Sequence, residues 1–344
     1  MKIRSSVIDS LAYVSPPTAW SSADIESKLA PLYQRLRLPE GRLELMTGIK
    51  ERRFWDNPVR PSEIAAQAGR KALAQSTISA EQIEVCIHSS VCRDMLEPAT
   101  ASFAHRLMGL PEGVQVFDVS NACLGFLNSI SLLSAMIDAG QIKAGIVVSG
   151  ENGKPLLERT IQQLLGGEHT RKSIKPFFAN LTIGAGAVAA IVCHESLSPG
   201  GHRVLGGSVL ADTSSNDLCK GDASLGGDGL EMQTDSEEML HAGVSLAKRT
   251  WAAFKKELDW SEATPDRVIT HQVGAAHQRL LFESLGLQME KDYSSYQTFG
   301  NTGSAALPIT LAKAAEDGAV KAGDKLALLG IGSGLNCLMM GVEW

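Results

Sequence analysis

Asp118-Val-Ser-Asn-Ala-Cys-Leu-Gly125 joins two segments of different periodicity. Before it, Val114-Gln-Val-Phe117 alternates and is β-branched, the pattern of a short strand. After it, Leu124, Phe126, Leu127, Ile130, Leu132, Leu133, Ala135, Met136 and Ile137 run on to Asp138-Ala-Gly140. That run is too long for a strand, and Gly140 is suited to end a helix. It is apolar almost all round, which predicts a central helix buried on every side. Cys123 is therefore expected at a strand-to-helix junction, on the first turn of that helix. Unpaired N–H groups and the positive end of the helix dipole favour a thiolate there. A cysteine so placed is expected to have its pKa lowered from about 8.5 into roughly the 3.5–7.5 range. Taken alone, such a cysteine is more commonly a small buried hydrophobe. Two later stretches decide for chemistry.

The chain of 344 residues exceeds one ordinary core and predicts one large or two fused domains. Its 44% hydrophobic and 20% charged residues are those of a globular protein. A net charge of −6 argues against nucleic acid as the main partner. The start, Met1-Lys-Ile-Arg-Ser-Ser-Val, lacks an apolar signal core, and no stretch approaches the ~18 apolar residues of a membrane span, so a cytoplasmic protein is expected. Cysteines 86, 92, 123, 193, 219 and 337 form no Cys-x-x-Cys pair, which suggests neither a zinc cage nor a disulfide framework.

Outward from the junction, strands are expected at Ile3–Val14, Glu84–Val91, Ala144–Ser149, Ile183–Cys193, Val204–Leu210, Arg267–Val273, Lys325–Gly330 and Asn336–Val342. Helices are expected at Pro61–Gln75, with its face of Ala65, Ala66, Ala68 and Ala72, and at Ala99–Met108, Glu237–Leu258, Ala275–Leu285 and Ser304–Glu316. Thr18–Leu38 reads as a partly helical excursion and Met46–Trp55 as a basic turn, a candidate contact for phosphate or nucleotide. Lys154–Asn180 is a longer insertion, with Leu156–Leu165 helical and a basic stretch around Arg171, Lys172 and Lys175. Gly206–Gly229, rich in Gly, Ser and Asp, reads as a surface loop. This alternation predicts mostly parallel sheets covered on both faces, in two halves of similar order that suggest a duplication.

His271 closes the strand Val268-Ile-Thr-His-Gln-Val273, and Asn301 lies in the turn Phe299-Gly-Asn-Thr-Gly303. In parallel α/β sheets, sites gather at the carboxyl ends of strands, where Cys123, His271 and Asn301 would all fall. Separately, a strand-end His is commonly structural and Asn-Thr-Gly commonly a turn. Jointly they make a nucleophile with two neutral hydrogen-bond donors.

The Cys123 junction, the His271 strand end, the Gly300-Asn301-Thr302 turn and the closing Gly330-Ile-Gly-Ser-Gly334 resemble the thiolase superfamily in order and spacing. The resemblance is closest to the ketoacyl synthase III branch, and Gly48-Ile-Lys-Glu-Arg-Arg53 is also similar to it. It implies a five-layered αβαβα fold with halves 1–195, carrying Cys123 and Glu97, and 196–344, carrying His271 and Asn301. It further implies that Cys123 takes an acyl group from a thioester, while His271 and Asn301 stabilise the enolate of a second substrate. The N–H groups of Cys123 and of the Ser333-Gly334 region would hold the acyl oxygen, and Arg52 and Arg53 fall on the substrate-binding turn. Arg42 or Leu43 stands where that branch usually has an adenine-stacking tryptophan, and Gln272-Val273-Gly274 stands where it usually reads Gln-Ala-Asn.

The loop Arg93-Asp-Met-Leu-Glu-Pro-Ala-Thr-Ala-Ser102 resembles that of the OleA family, which joins two fatty acyl-CoAs head to head. By that resemblance Glu97 is the base that acts in the partner subunit of a homodimer. Its plainer reading is a carboxylate favoured by the dipole of the following helix. The implied reaction is a non-decarboxylative Claisen condensation of long-chain acyl-CoAs to a 2-alkyl-3-ketoacyl-CoA, without metal or redox cofactor. An acyl carrier protein or downstream enzymes are conceivable further partners. The alternative is a decarboxylating ketoacyl synthase III using malonyl-ACP or malonyl-CoA. A non-catalytic scaffold would be expected to lose Cys123, His271 or Asn301. A dinucleotide-binding fold is excluded because no Gly-x-Gly-x-x-Gly follows the first strand.

Overall fold

The computed structural model describes residues 1–223 and 230–344. The first half contains strands β1 (Ser6–Val14), β2 (Thr18–Ser21), β3 (Glu51–Phe54), β4 (Val85–His88), β5 (Gln115–Asp118), β6 (Ala144–Asn152) and β7 (Ala185–His194). Its helices are α1 (Ser22–Lys28), α2 (Ala30–Leu36), α3 (Arg42–Thr47), α4 (Pro61–Gln75), α5 (Thr100–Met108), α6 (Gly125–Asp138) and α7 (Lys154–Gly166). The second half contains β8 (His202–Ala211), β9 (Cys219–Ala223), β10 (Leu230–Thr234), β11 (Arg267–Thr270), β12 (Lys325–Gly332) and β13 (Asn336–Glu343). Its helices are α8 (Ser236–Leu258), α9 (Ala275–Leu285), α10 (Tyr296–Phe299) and α11 (Ala306–Glu316).

Nine strands form one hydrogen-bonded sheet in the order β11-β12-β13-β8-β1-β7-β6-β4-β5. Read outward from the β1–β8 contact, β1-β7-β6-β4 and β8-β13-β12-β11 have the same order and the same directions. In each, the inner pairs are antiparallel and the outermost pair, β6–β4 or β12–β11, is parallel. This is a duplication visible in topology although the letters barely repeat. The expectation of mostly parallel sheets is corrected: among the described strand pairs only β4–β5, β4–β6 and β11–β12 are parallel.

Side-chain alternation along the strands separates three cores. On β7, Val188, Ala190 and Val192 face a middle layer with Phe126, Leu127, Ile130 and Leu133 of α6 and Leu307, Ile309 and Leu311 of α11. The intervening Ala187, Ala189 and Ile191 face Ala65, Ala68 and Ala72 of α4, whose small face lets helix and sheet approach closely. In the second half, Ala327, Leu329 and Met339 pack outward on Leu246, Trp251 and Phe254 of α8 and Phe282 of α9. The layers run helix, sheet, helix, sheet, helix, as expected. The helix α6 is not buried on every side, for Leu132 and Ala135 are exposed.

Two other expectations are corrected, while the insertion keeps its expected helix. The Met46–Trp55 stretch is not simply a turn: β3 pairs antiparallel with β2. Its alternation turns Arg52 and Phe54 inward, both fully buried. Gly206–Gly229 is not a loop throughout, because Gly206–Ala211 completes β8 and Cys219–Ala223 forms β9; residues 224–229 lie outside the described residues. The insertion forms α7 and a 3-10 segment, Lys175–Thr182. Leu157, Ile161, Leu164 and Leu181 bury against Ile25, Leu29, Leu32 and Leu43 of the α1–α3 region. No helix among the described residues is long and apolar enough to cross a membrane.

Candidate active site

Cys123 follows Ala122, whose φ of 45° turns the chain sharply between β5 and α6. The helix itself begins at Gly125 with Leu124 at the N-cap, so Cys123 stands just before the first turn rather than on it. The strand β12 runs alongside: a Cβ on Gly332 would lie 3.4 Å from the Cys123 nitrogen, and one on Gly330 would strike the Leu124 side chain at 2.5 Å.

His271 directly follows β11 and is buried, its N–H donating to Leu329 O of β12 at 3.0 Å. Its Nδ1 meets no hydrogen-bond partner among the described residues. The next residue, Gln272, accepts at Oε1 from the N–H groups of Ser295 (2.8 Å) and Tyr296 (3.0 Å), which ties the His271 strand end to the segment entering the Asn301 turn.

Asn301 is gripped through its backbone. Its N–H donates to Thr182 O at 2.9 Å, and its carbonyl accepts from Gly184 N–H at 2.9 Å. Its Oδ1 accepts from Gly303 N–H at 3.0 Å, so the amide NH2 is directed elsewhere as a donor. Three residues on, Ser304 Oγ accepts from Phe126 N–H in the first turn of α6 at 2.9 Å. The Asn301 turn is thus bonded to the Cys123 helix, while the His271 strand borders the glycines that lie against Cys123. The fold thus draws together the segments that carry the three expected residues.

The space at Gly184 is decisive, because an added Cβ would lie 2.0 Å from the Phe299 carbonyl oxygen. Backbone cannot yield as a flexible side chain can. Gly184→Ala is expected to lower stability by about 3 kcal/mol through overpacking. By displacing the Asn301 turn it should also cut turnover roughly 100-fold. Melting curves and steady-state kinetics of the purified variant check both effects.

Other candidates fall in different places. Arg52 does not face substrate: fully buried, it donates to Leu181 O (2.7 and 3.2 Å) and to Ser22 Oγ (2.8 Å), next to the Thr182–Gly184 segment that holds Asn301. Burial lowers its pKa to about 10. Arg53 is half-buried and pairs with Glu51 at 2.8 Å. Ser333 donates to Cys219 Sγ at 3.5 Å, and Gly334 has a φ of 75° in the same turn. Glu97 is exposed on a loop whose Val91, Met95 and Leu96 are also exposed, Leu96 by 89%. The loop's base is fixed, since Asp94 accepts from both the N–H and the hydroxyl of Ser62.

One residue of the site is unforeseen from the sequence. Glu151, near the end of β6, is 3% exposed and accepts three backbone N–H bonds: Val91 (2.8 Å), Cys92 (3.0 Å) and Ser304 (2.9 Å). A carboxylate closing the apolar run Ala144–Gly150 was the available signal, for a charge placed there must be buried with partners.

Electrostatics correct the expectation of a resting thiolate. Burial raises the Cys123 pKa, and the nearby Glu151 and Cys219 raise it further. The helix donor that would have faced it, Phe126 N–H, is taken by Ser304. Burial and the adjacent His277 push His271 down to about 3, and burial holds His277 at about 4. At neutral pH the site rests as a thiol beside neutral imidazoles.

These groups set a pH range for stability. His88, His271 and His277 have folded values of about 4, 3 and 4 against 6.5 for the free side chain, so their contribution is present above pH 6.5 and lost as pH falls below it. Cys86 and Cys193 at about 12 and Cys337 at about 11, against 9.0, contribute below pH 9 and lose that contribution as pH rises through and above it. A melting-temperature profile is therefore expected to peak between these limits and fall on both sides; a profile that stays flat into mild acid would contradict the burial described.

The chain matches the thiolase N-terminal domain over residues 45–156 and 3-oxoacyl-[acyl-carrier-protein] synthase III over residues 117–212, with its C-terminal part over residues 256–344. It is 39% identical to an acyl-CoA:acyl-CoA alkyltransferase of Shewanella oneidensis, with all of both chains covered. It is 29% identical to a β-ketoacyl-[acyl-carrier-protein] synthase III of Rhodospirillum rubrum, covering 89% of this chain and 91% of that one. Its structure is similar to a crystal structure of Xanthomonas campestris OleA with bound lauric acid and lauroyl-CoA, with a TM-score of 0.95, 36% identity, and 99% and 100% of the two chains covered. Cysteine, histidine and asparagine at one locus between duplicated halves, on a chain alike from end to end, place this protein in the acyl-CoA:acyl-CoA alkyltransferase (OleA) family of the thiolase superfamily.

Proposed function

We propose that the chain is a cytoplasmic, homodimeric acyltransferase that condenses two long-chain acyl-CoAs, without loss of carbon dioxide, to a 2-alkyl-3-ketoacyl-CoA. Residues 1–195 would supply Cys123 and Glu97, and residues 196–344 His271 and Asn301. The Cys123 sulfur attacks the first thioester; the acyl–CoA sulfur bond breaks, the acyl–Cys123 bond forms, and the thiol proton leaves with coenzyme A. Cys123 N–H and the Ser333-Gly334 turn hold the acyl oxygen, and Arg53 is the candidate contact for the CoA phosphates. Glu97 of the partner subunit then takes the α-proton of the second acyl-CoA. The enolate oxygen receives hydrogen bonds from His271 and the Asn301 amide, each such donor contributing ~2.7–4 kcal/mol. The enolate carbon attacks the acyl–Cys123 carbonyl, the Cys123 thiolate departs, and the proton held by Glu97 returns to it.

A neutral His271 suits this role, because a donor that stays uncharged stabilises the enolate without protonating it. The observation that carries the reading is the Glu97 loop, anchored at its base and projecting a carboxylate among exposed apolar side chains. Those side chains, Val91, Met95 and Leu96, suit a loop that becomes covered on dimerisation. Decarboxylation of a malonyl group requires no such base. Supplying one saturated acyl-CoA as the sole thioester and analysing products by mass spectrometry tests the proposal. The expected result is the β-keto product with one free CoA per condensation. Product that forms only when malonyl-CoA or malonyl-ACP is added supports the decarboxylating alternative.

A further inference from the structure

Glu151 connects parts of the molecule that the proposed mechanism assigns to different active sites. Its Oε1 accepts from Ser304 N–H, whose hydroxyl in turn accepts from Phe126 N–H of the Cys123 helix. The same Oε1, with Oε2, accepts from Val91 and Cys92, the base of the loop that presents Glu97. Gly303, at a φ of +55°, passes so close that a Cβ there would lie 2.8 Å from Oε1. The strand end is itself clamped: Ser90 Oγ accepts from Gly150 N–H at 2.8 Å and bonds Ser149 and His88. Among the described residues no cationic side chain pairs with Glu151; three backbone N–H groups and the Cys92 thiol meet its carboxylate, while burial pushes its pKa up. Unpaired buried carboxylates are costly, and one retained at this node has work beyond packing.

We propose that Glu151 is a positioning residue with two duties: it fixes the Asn301 turn against the Cys123 helix in its own subunit, and it fixes the loop that delivers Glu97 to the partner's site. One carboxylate thereby couples the acylating centre of one subunit to the base serving the other. The inference rests on Glu97 acting in the partner subunit. The titratable groups around the node are the Cys92 and Cys123 thiols, with Cys219 beside Cys123.

Dimers with a single complete site separate the two duties. In a mixed dimer of Cys123→Ala and Glu97→Ala subunits, the working site takes its nucleophile from the second and its base from the first. Glu151→Gln placed only on the base-donating subunit is expected to slow condensation at least 10-fold, while acylation of Cys123 stays within about 2-fold. The amide keeps the shape but offers N–H where Cys92 N–H must be accepted. Placed only on the nucleophile-donating subunit, Glu151→Gln is expected to slow acylation. In the Glu151→Gln homodimer, the midpoint of Cys123 alkylation by iodoacetamide is expected to move about one pH unit lower, because a neighbouring negative charge is gone. Glu151→Asp, which keeps the charge but is one carbon too short to reach all three N–H groups, should leave that midpoint in place while slowing condensation from the base-donating side, and it serves as the test variant should the amide not fold. Unchanged condensation with the substitution on the base-donating side overturns the coupling, and unchanged acylation with it on the nucleophile-donating side overturns the duty toward the Cys123 helix. A parent mixed dimer without activity overturns the action of Glu97 in the partner's site, and the coupling with it, by a result distinct from either.

Discussion

Co-expressing Cys123→Ala and Glu97→Ala subunits under separate affinity tags is expected to restore condensation that neither homodimer performs. In the mixed dimer one site loses both nucleophile and base, and the other has both. A statistical mixture should therefore show about a quarter of the wild-type rate, and purified mixed dimers about half. If Glu97 served its own subunit, every site would lack one group and no activity would return. The structure makes the outcome sharp, because Glu97 is exposed while the loop's base is fixed by Asp94 and Glu151. Glu97→Ala alone should still accept an acyl group on Cys123, since acyl transfer needs no α-proton abstraction. Activity assays on the tagged mixture, with intact-mass readings on each homodimer, check both halves of this expectation.

Replacing the nucleophile should have the largest effect of any single substitution. Cys123→Ala is expected to lower turnover by at least ~10⁴-fold, the scale on which loss of a covalent nucleophile is felt. Folding should survive, because Cys123 is half-buried and lies beside the packed Leu124 rather than within the core. The protein should still bind acyl-CoA, since His271, Asn301 and the Ser333-Gly334 turn are untouched. Persistence of the melting temperature with loss of product and of any acyl adduct would separate chemistry from stability. Residual turnover within 10-fold of wild type would mean that the acyl group passes directly between thioesters.

The parts of this site that could be read from the sequence are those in which one residue type at one junction has a local reason. Cys123 lies between an alternating and a helical stretch, His271 at a strand end, and Asn301 in a glycine turn. Their meeting was legible only through the joint spacing. The charge environment was not, because it depends on long-range neighbours. The dipole argument for a low Cys123 pKa fails once Ser304, from the other half, occupies the Phe126 N–H and Glu151 adds negative charge. Arg52 was misread because two adjacent arginines suggest a solvated turn. The period-two alternation of Glu51-Arg-Arg-Phe54 already turned one of them inward with Phe54.

The sheet directions were hidden for a related reason. Strand–helix–strand order implies parallel neighbours when the helix crosses over the sheet. Between β6 and β7, however, the chain spends Lys154–Thr182 on α7 and a 3-10 segment that pack on α1–α3, and it returns antiparallel.

The central claim is that one acyl group rests on Cys123 until a second acyl thioester, activated by Glu97, removes it. A pulse–chase measurement reaches it directly: load the wild-type protein with one equivalent of an isotopically labelled acyl-CoA, quench a sample for peptide mapping, and chase with an unlabelled acyl-CoA of another length. The account expects the label on Cys123 alone, then its transfer to the ketone-bearing half of the mixed product as the adduct disappears. Label on another residue, no adduct before the chase, or label in the half that retains the CoA thioester would contradict it.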